Sequence, residues 1–444
     1  MERQMMDELV RWKARENRKP LLLKGARQTG KTWLLKEFGR RMYDSFIHVN
    51  LDRNPDIAEI FAVNKNPEDI IRKLEYATRK KIEPGKTLVI LDEIQASRAA
   101  LNSLKYFKEE APEYHIASAG SLLGIYLSGL MDDRDWKRDE RIDELTVPVG
   151  AVDVMHLYPM TFQEFLLAVD DQMHAFYSSI IKGQHIENIF HERLNELYNL
   201  YLIVGGMPEC VASWAQNRDF DELDRIQDAL VELYEYDVTK YHGRINPDKI
   251  LLVFRRLVSQ LAKPNEKFIY GALRKGARAT EYEGAIEWLC SAGLVNRVYN
   301  VTRPEFPLKA YEDISAFKLF FFDTGLLKHM AQLDNSPILT KTSYQFKGPL
   351  SENFVLQQLT GQFPATIAYY STKNMENDFL LQAGSRLIPM EVKGEEDRRA
   401  PSFKRYLSEH EPDMAIRFSK MGYQDAGSFT NMPLYLASRL KDLI

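Results

Sequence analysis

The chain has 444 residues, 45% of them hydrophobic and 27% charged, with a formal net charge of −4. That length predicts two to four domains, the composition excludes a fibrous or disordered chain, and the near-neutral charge confines any contact with nucleic acid to local patches. Two cysteines, Cys210 and Cys290, give no disulfide framework, the charged stretch from Met1 to Pro20 has no signal-peptide core, and no apolar run is long enough to span a bilayer, so a cytoplasmic protein without membrane contact is expected.

In chain order, Met5, Met6, Leu9, Val10 and Trp12 predict an amphipathic first helix, placed beside a nucleotide base or serving as a plain cover. Leu21-Leu22-Leu23 predicts a short buried strand, and residues 33–38 predict a helix. Between them Gly25, Ala26, Arg27, Gln28, Thr29, Gly30, Lys31 and Thr32 have the G-x-x-x-x-G-K-T form of the loop that binds phosphate in P-loop NTPases. Glycines let successive N–H groups turn inward around an anion, and the helix N-terminus adds its dipole. Lys31 can reach the β- and γ-phosphates of ATP, and the Thr32 hydroxyl can ligate Mg²⁺.

A strand follows over 46–51, broken at Asn54-Pro55, and then a helix over 67–81. Residues 87–93, Thr-Leu-Val-Ile-Leu-Asp-Glu, predict a strand buried on both faces and ending in two acids, where ligands of parallel sheets bind. Asp92 is a candidate Mg²⁺ ligand, and Glu93 a candidate to orient the attacking water. Tyr114 to Ser121 predicts the next strand. Ser118 and Ser121 are both placed to sense the γ-phosphate, and the sequence does not choose between them. The mixed-charge run from Leu130 to Leu145 reads as a solvated segment. Thr161 and Glu164 have capping-box spacing, and the pattern stays helical to about Lys240 apart from Gly205-Gly206-Met207-Pro208. His191-Glu192 is followed by Asn195 where a second histidine would complete H-E-x-x-H, so no zinc helix is present.

Residues 250–262, 268–270, 280–292 and 294–299 predict helix, turn, helix and strand, the outline of a winged helix. Arg274, Lys275 and Arg278 favour DNA there, whereas Glu281, Glu283 and Glu287 oppose it, so a structural or protein-binding role is favoured. In the last domain Glu352 falls in a predicted helix, Asp378 at the start of a strand, and Glu391 with Lys393 at the end of another. This resembles the PD-(D/E)xK nuclease core. Two carboxylates on adjacent strands, Asp378 and Glu391, would hold Mg²⁺ and acidify water. Strand alternation puts Lys393 on the Glu391 face, and Glu352 could add a ligand.

Taken in order, Gly25 to Thr32, Leu88 to Glu93, Ala117 to Gly124, Leu157 to Phe165, Gly205 to Pro208 and Phe317 to Leu327 resemble a large prokaryotic family of AAA-type ATPases. Its members join that domain to a nuclease-like C-terminal domain of unknown function. The resemblance implies an α/β fold with an AAA-type core over 1–155, a helical lid over 156–240, a winged-helix-like module over 241–310 and a restriction-endonuclease-like α/β domain over 311–444. It implies Mg-ATP hydrolysis by Lys31 and Glu93, and action on DNA or RNA through Glu352, Asp378, Glu391 and Lys393. The alternative is a nucleotide-controlled switch that binds a partner protein. Ala151 stands where a basic residue is usual, which leaves the arginine finger unassigned, and an oligomer is open.

Overall fold

The structure, a computed structural model of the chain, describes residues 2–63, 65–121, 123–127, 150–241, 243, 245–263, 267–342, 344–363, 366–394 and 400–444. The charged run expected between Leu130 and Leu145 lies outside the described residues. Among the described residues no helix is long and apolar enough to cross a membrane.

The N-terminal part alternates helices and strands: α1 (Met5–Lys13), β1 (Leu21–Lys24), α2 (Lys31–Met42), β2 (Ser45–Asn50), α3 (Pro55–Val63), α4 (Pro67–Thr78), β3 (Thr87–Asp92), α5 (Arg98–Glu110), β4 (His115–Ala119), α6 (Leu123–Leu127) and β5 (Asp153–His156). The strands form one parallel sheet in the order β2-β3-β4-β1-β5. Alternation along β1 and β3 feeds two cores. Leu21, Leu23, Leu88 and Ile90 pack under α1 and α2, while Leu22, Val89 and Leu91 pack under α3, α4 and α5. Leu9 and Trp12 of α1 lie in the first core, so α1 is a covering helix. The strand expected over 46–51 ends at Asn50, before Asn54-Pro55, and Pro55 opens α3, because proline suits a first helical turn whose N–H groups have no intrahelical acceptor.

Next come α7 (Phe162–Val169), α8 (Asp171–Ser179), α9 (Asn188–Val204), α10 (Pro208–Asn217), α11 (Phe220–Thr239), α12 (Pro247–Leu261) and α13 (Ala279–Ser291). The capping box at Thr161 and Glu164 is formed in full. A second sheet then begins with the hairpin β6 (Val295–Val301) and β7 (Glu312–Phe321), so the expected boundary at 310 falls inside a hairpin. After it come α14 (Thr324–Met330), α15 (Asn335–Leu339), α16 (Lys347–Thr360), β8 (Ile367–Ser371), β9 (Glu376–Ala383), β10 (Arg386–Val392), α17 (Pro401–His410), β11 (Ile416–Ser419), β12 (Gln424–Asp425), β13 (Thr430–Pro433) and α18 (Leu440–Leu443). The sheet order is β12-β13-β11-β10-β9-β8-β6-β7. β9 is antiparallel to both β8 and β10, β10 and β11 are parallel, and β6 joins β8 in parallel at Asn300 and Tyr369.

One hydrophobic core runs from Phe162 through α9 to α14 and on to α16 and the second sheet. The helices expected to form a separate lid therefore share their interior with the C-terminal strands. Two distant motifs lock this junction. Asp323 accepts hydrogen bonds from the backbone of Gly206 at 2.7 Å and of Leu326 at 3.0 Å. A Cβ on Gly206 would stand 2.2 Å from the Met160 carbonyl, and one on Gly205 2.3 Å from Asp323 Oδ1, which explains the glycine pair. Burial pushes the Asp323 carboxyl up to about 6, although backbone N–H groups oppose the rise.

Candidate functional site

The loop from Gly25 to Gly30 joins the end of β1 to the start of α2. Gly25 and Gly30 have φ of 151° and 91°. A Cβ on Gly25 would lie 2.2 Å from the Leu157 carbonyl, so glycine is required there for space as well as conformation. The Thr29 hydroxyl donates to the Ala26 carbonyl at 2.8 Å. Lys31 is buried, and its ammonium donates to the carbonyls of Gly25 at 2.9 Å and Ala26 at 2.7 Å. Burial pushes Lys31 down to about 8, against the pull of Glu93 and Asp92. The loop thus keeps its lysine on its own carbonyls, ready to be exchanged for phosphate oxygens.

Asp92 closes β3, and the Thr32 hydroxyl donates to it at 3.1 and 3.0 Å. His48 Nε2, from β2, stands 3.1 Å from Asp92 Oδ2. Burial tends to raise the Asp92 carboxyl, but the hydrogen bonds from His48 and Thr32 outweigh it and hold the group below its ordinary value. A hydroxyl and an ionised carboxylate side by side are hard oxygen donors of the kind Mg²⁺ takes, so these residues fit that ion.

Glu93 follows in a left-handed conformation with φ of 49°, a strain that clusters at functional positions. Its carboxylate accepts from the Gln95 amide and lies 3.3 Å from the Ser121 hydroxyl. Ser118 is buried within β4, and no partner for its hydroxyl is found among the described residues. Of the two serines left open by the sequence, Ser121 is the one beside Glu93. A cleft of about 320 Å³ lies between the loop and the turn after α13, lined in part by Lys24, Gly25, Ser121, His156, Ser291 and Gly293.

Arg3, Tyr234 and Asp237 escaped sequence reasoning. Arg3, from the segment before α1, pairs with Glu164 at 3.1 Å and donates to the carbonyls of Thr29 at 2.9 Å and Tyr158 at 2.6 Å. Arg27 forms an ion pair with Asp237 of α11, and the Tyr234 hydroxyl donates to the Arg27 carbonyl at 3.0 Å. His191 spans Tyr435 and the Lys420 carbonyl at 2.8 and 3.0 Å.

A second constellation lies in the C-terminal sheet. Asp378 on β9 accepts from the Val392 backbone N–H at 2.7 Å, and Lys393 Nζ lies 2.6 Å from Glu391 Oε1. The strands therefore bring Asp378, Glu391 and Lys393 near one another, and β9 starts two residues before Asp378. Burial pushes Asp378 up to about 7, reinforced by Glu352, and Glu391 up to about 8, reinforced by Asp378. Glu352 on α16 is held by Lys318 of β7 at 3.4 Å. Among the described residues no group of three or more His, Cys, Asp or Glu side chains is arranged to hold a metal. Two carboxylates still suit Mg²⁺, which binds few protein oxygens and keeps its waters or takes substrate phosphates.

Two of the acids expected to repel phosphate in α13, Glu283 and Glu287, are engaged by Arg297. Arg297 pairs with Glu283 at 2.5 Å and lies 3.9 Å from Glu287, and the Tyr270 hydroxyl donates to Glu283 at 2.7 Å.

A glycine loop closing on a helix N-terminus, with aspartate and glutamate at the end of a buried parallel strand, defines an AAA-type P-loop ATPase domain. Residues 17–166 match the family model described as AAA domain, and the chain carries an AAA+ P-loop ATPase domain of that kind. Residues 195–337 match a domain of unknown function (DUF8612), and residues 347–435 match a second one (DUF4143). No curated protein matches the chain. Among solved structures it is similar to the Walker-type ATPase of Pyrococcus abyssi, with 14% identity over 74% of this chain and 95% of that one and a TM-score of 0.42. It is also similar to the Orc1 protein of Aeropyrum pernix solved with DNA (13% identity, 76% and 92% covered, TM-score 0.30). The RuvB Holliday junction branch migration motor of Thermotoga maritima gives 15% identity, 67% and 90% coverage and a TM-score of 0.27.

Proposed function

We propose that this chain is an ATP-hydrolysing switch of AAA type that acts on nucleic acid through a nuclease-like C-terminal domain. The observation that carries the first half is the convergence of Lys31, Thr32, Asp92, Glu93 and Ser121 at the loop. Lys31 and the loop amides bind and orient the β- and γ-phosphates. Thr32 and Asp92 would hold Mg²⁺, which supplies positive charge against the phosphate oxygens. Glu93 orients the attacking water and accepts its proton, with Ser121 and Gln95 fixing its carboxylate. Lys31→Ala should weaken ATP binding at least a hundredfold in a fluorescent-nucleotide titration, and unchanged binding would refute the assignment.

The second half rests on the α16-β8-β9-β10-α17-β11 succession with Asp378, Glu391 and Lys393 at one place. Asp378 and Glu391 would hold a metal ion that supplies positive charge, and Lys393, paired with Glu391, would orient water there. One observation favours the alternative of a protein-binding platform: Lys318 and Lys393 already balance Glu352 and Glu391. Plasmid nicking with Mg²⁺, with and without ATP, separates the two. Cleavage lost in Lys393→Ala supports the nuclease, and no cleavage by wild type supports the platform.

A further inference from the structure

β7 carries the run Phe317-Lys318-Leu319-Phe320-Phe321. Its lysine is as buried as its neighbours, 2% exposed. A lysine is rarely buried without partners. Lys318 Nζ lies 3.4 Å from Glu352 Oε2, 3.9 Å from Glu376 Oε1 and 5.3 Å from the centre of the Tyr369 ring. Its charge also acts on Asp378, which in turn feels Glu352. Lys318 belongs to no part of the succession from α16 to β11. The β6–β7 hairpin delivers it, attached to that sheet where Asn300 meets Tyr369.

We infer that Lys318 is a positioning residue of the carboxylate site, a built-in counter-cation that fixes Glu352 and competes with a divalent metal ion for the field of Glu352, Asp378 and Glu391. The inference rests on the reading of Asp378 and Glu391 as a metal site. A cation held against carboxylates in a poorly solvated place offsets their attraction for a second cation, because charges there are little screened. Removing its charge while leaving the carboxylates deepens the negative potential at the site. A lysine that served only as a packing element would not have this effect.

The test is Mn²⁺ binding to the nucleotide-free full-length chain, read from the electron paramagnetic resonance signal of the free ion. Asp378→Asn, in each background, defines the bound fraction that belongs to this site. Lys318→Gln and Lys318→Met should bind Mn²⁺ there at least tenfold more tightly than wild type, and Lys318→Arg should stay within twofold of it. Lys318→Gln retains a donor for Glu352, so the comparison stands even where the methionine variant does not fold. Unchanged or weaker binding in Lys318→Gln overturns the inference, as does an arginine variant that behaves like the glutamine one. If Mn²⁺ sensitive to Asp378→Asn is present but indifferent to Lys318, only the role of Lys318 falls. If no such Mn²⁺ is found in any variant, the metal-site reading falls and takes the inference with it.

Discussion

Asp378→Asn should make the C-terminal domain more stable at pH 8. Asp378 is buried, and its carboxyl is pushed from the ordinary 3.8 up to about 7 by burial and by Glu352. Below about pH 4 the group is neutral in both folded and unfolded chains and costs nothing. Between pH 4 and 7 the unfolded chain ionises first, so the fold loses stability as pH rises, and above about 7 the loss is complete. At about 1.4 kcal/mol per pH unit the full loss has a ceiling of about 4 kcal/mol. Asp378 shares its site with Glu391, which is also raised, so about 2–4 kcal/mol is expected. Asparagine keeps an oxygen for the Val392 N–H and has no charge to bury. The unfolding transition that contains β9 and β10 should rise by about 5 °C or more at pH 8. The gain should shrink by more than half at pH 5, measured calorimetrically at both pH values without divalent metal. A variant that is less stable than wild type at pH 8, or whose gain does not depend on pH, would refute the reasoning.

Glu93→Gln should leave ATP affinity within about twofold and lower kcat by about 10²-fold or more, read as phosphate release in single turnover. Arg3→Ala takes the cation from the buried Glu164, which keeps hydrogen bonds from the Gln4 and Thr161 backbone, and frees the Thr29 carbonyl, so it should cost about 3 kcal/mol in denaturant unfolding. The same variant should also weaken nucleotide binding, and a loss of stability under 1 kcal/mol would show that the pairing contributes little. Gly205→Ala puts a methyl group 2.3 Å from Asp323 Oδ1 at a φ of 76°. It should destabilise the junction by about 3 kcal/mol or more, detected as faster amide exchange at Gly206 and Leu326.

What was legible in the sequence had a local physical signature. The run from Leu88 to Leu91 is apolar throughout because β3 is covered on both faces. Thr161 and Glu164 announced a helix start because a capping box is a contact between near neighbours. What stayed hidden depends on the rest of the fold. β5 is an edge strand in which only Met155 is buried, so it leaves no apolar run to find. His48 and Arg3 gain their roles from strands and loops that the chain reaches later. Lys318 did leave a signal, a lone lysine in an aromatic strand. Its meaning required knowing that Glu352, 34 residues on, packs beside it.

The phosphate loop is also fastened from beyond residue 166. α11 holds Arg27 through Tyr234 and Asp237. A Cβ on Gly293, in the turn after α13, would lie 3.4 Å from the Ala26 nitrogen, and one on Gly124 only 1.8 Å from the Ser291 carbonyl. That turn continues into β6, and the partner strand β7 carries Lys318. One stretch of chain therefore touches the loop at one end and the carboxylate site at the other. A phosphate that draws Lys31 away from the Gly25 and Ala26 carbonyls acts on the two residues that meet this turn or line the cleft beside it. A fragment ending near residue 166 would lose Tyr234, Asp237 and Gly293 together. Nucleotide affinity measured on such a fragment would therefore report a loop released from its supports, not the loop of the intact chain.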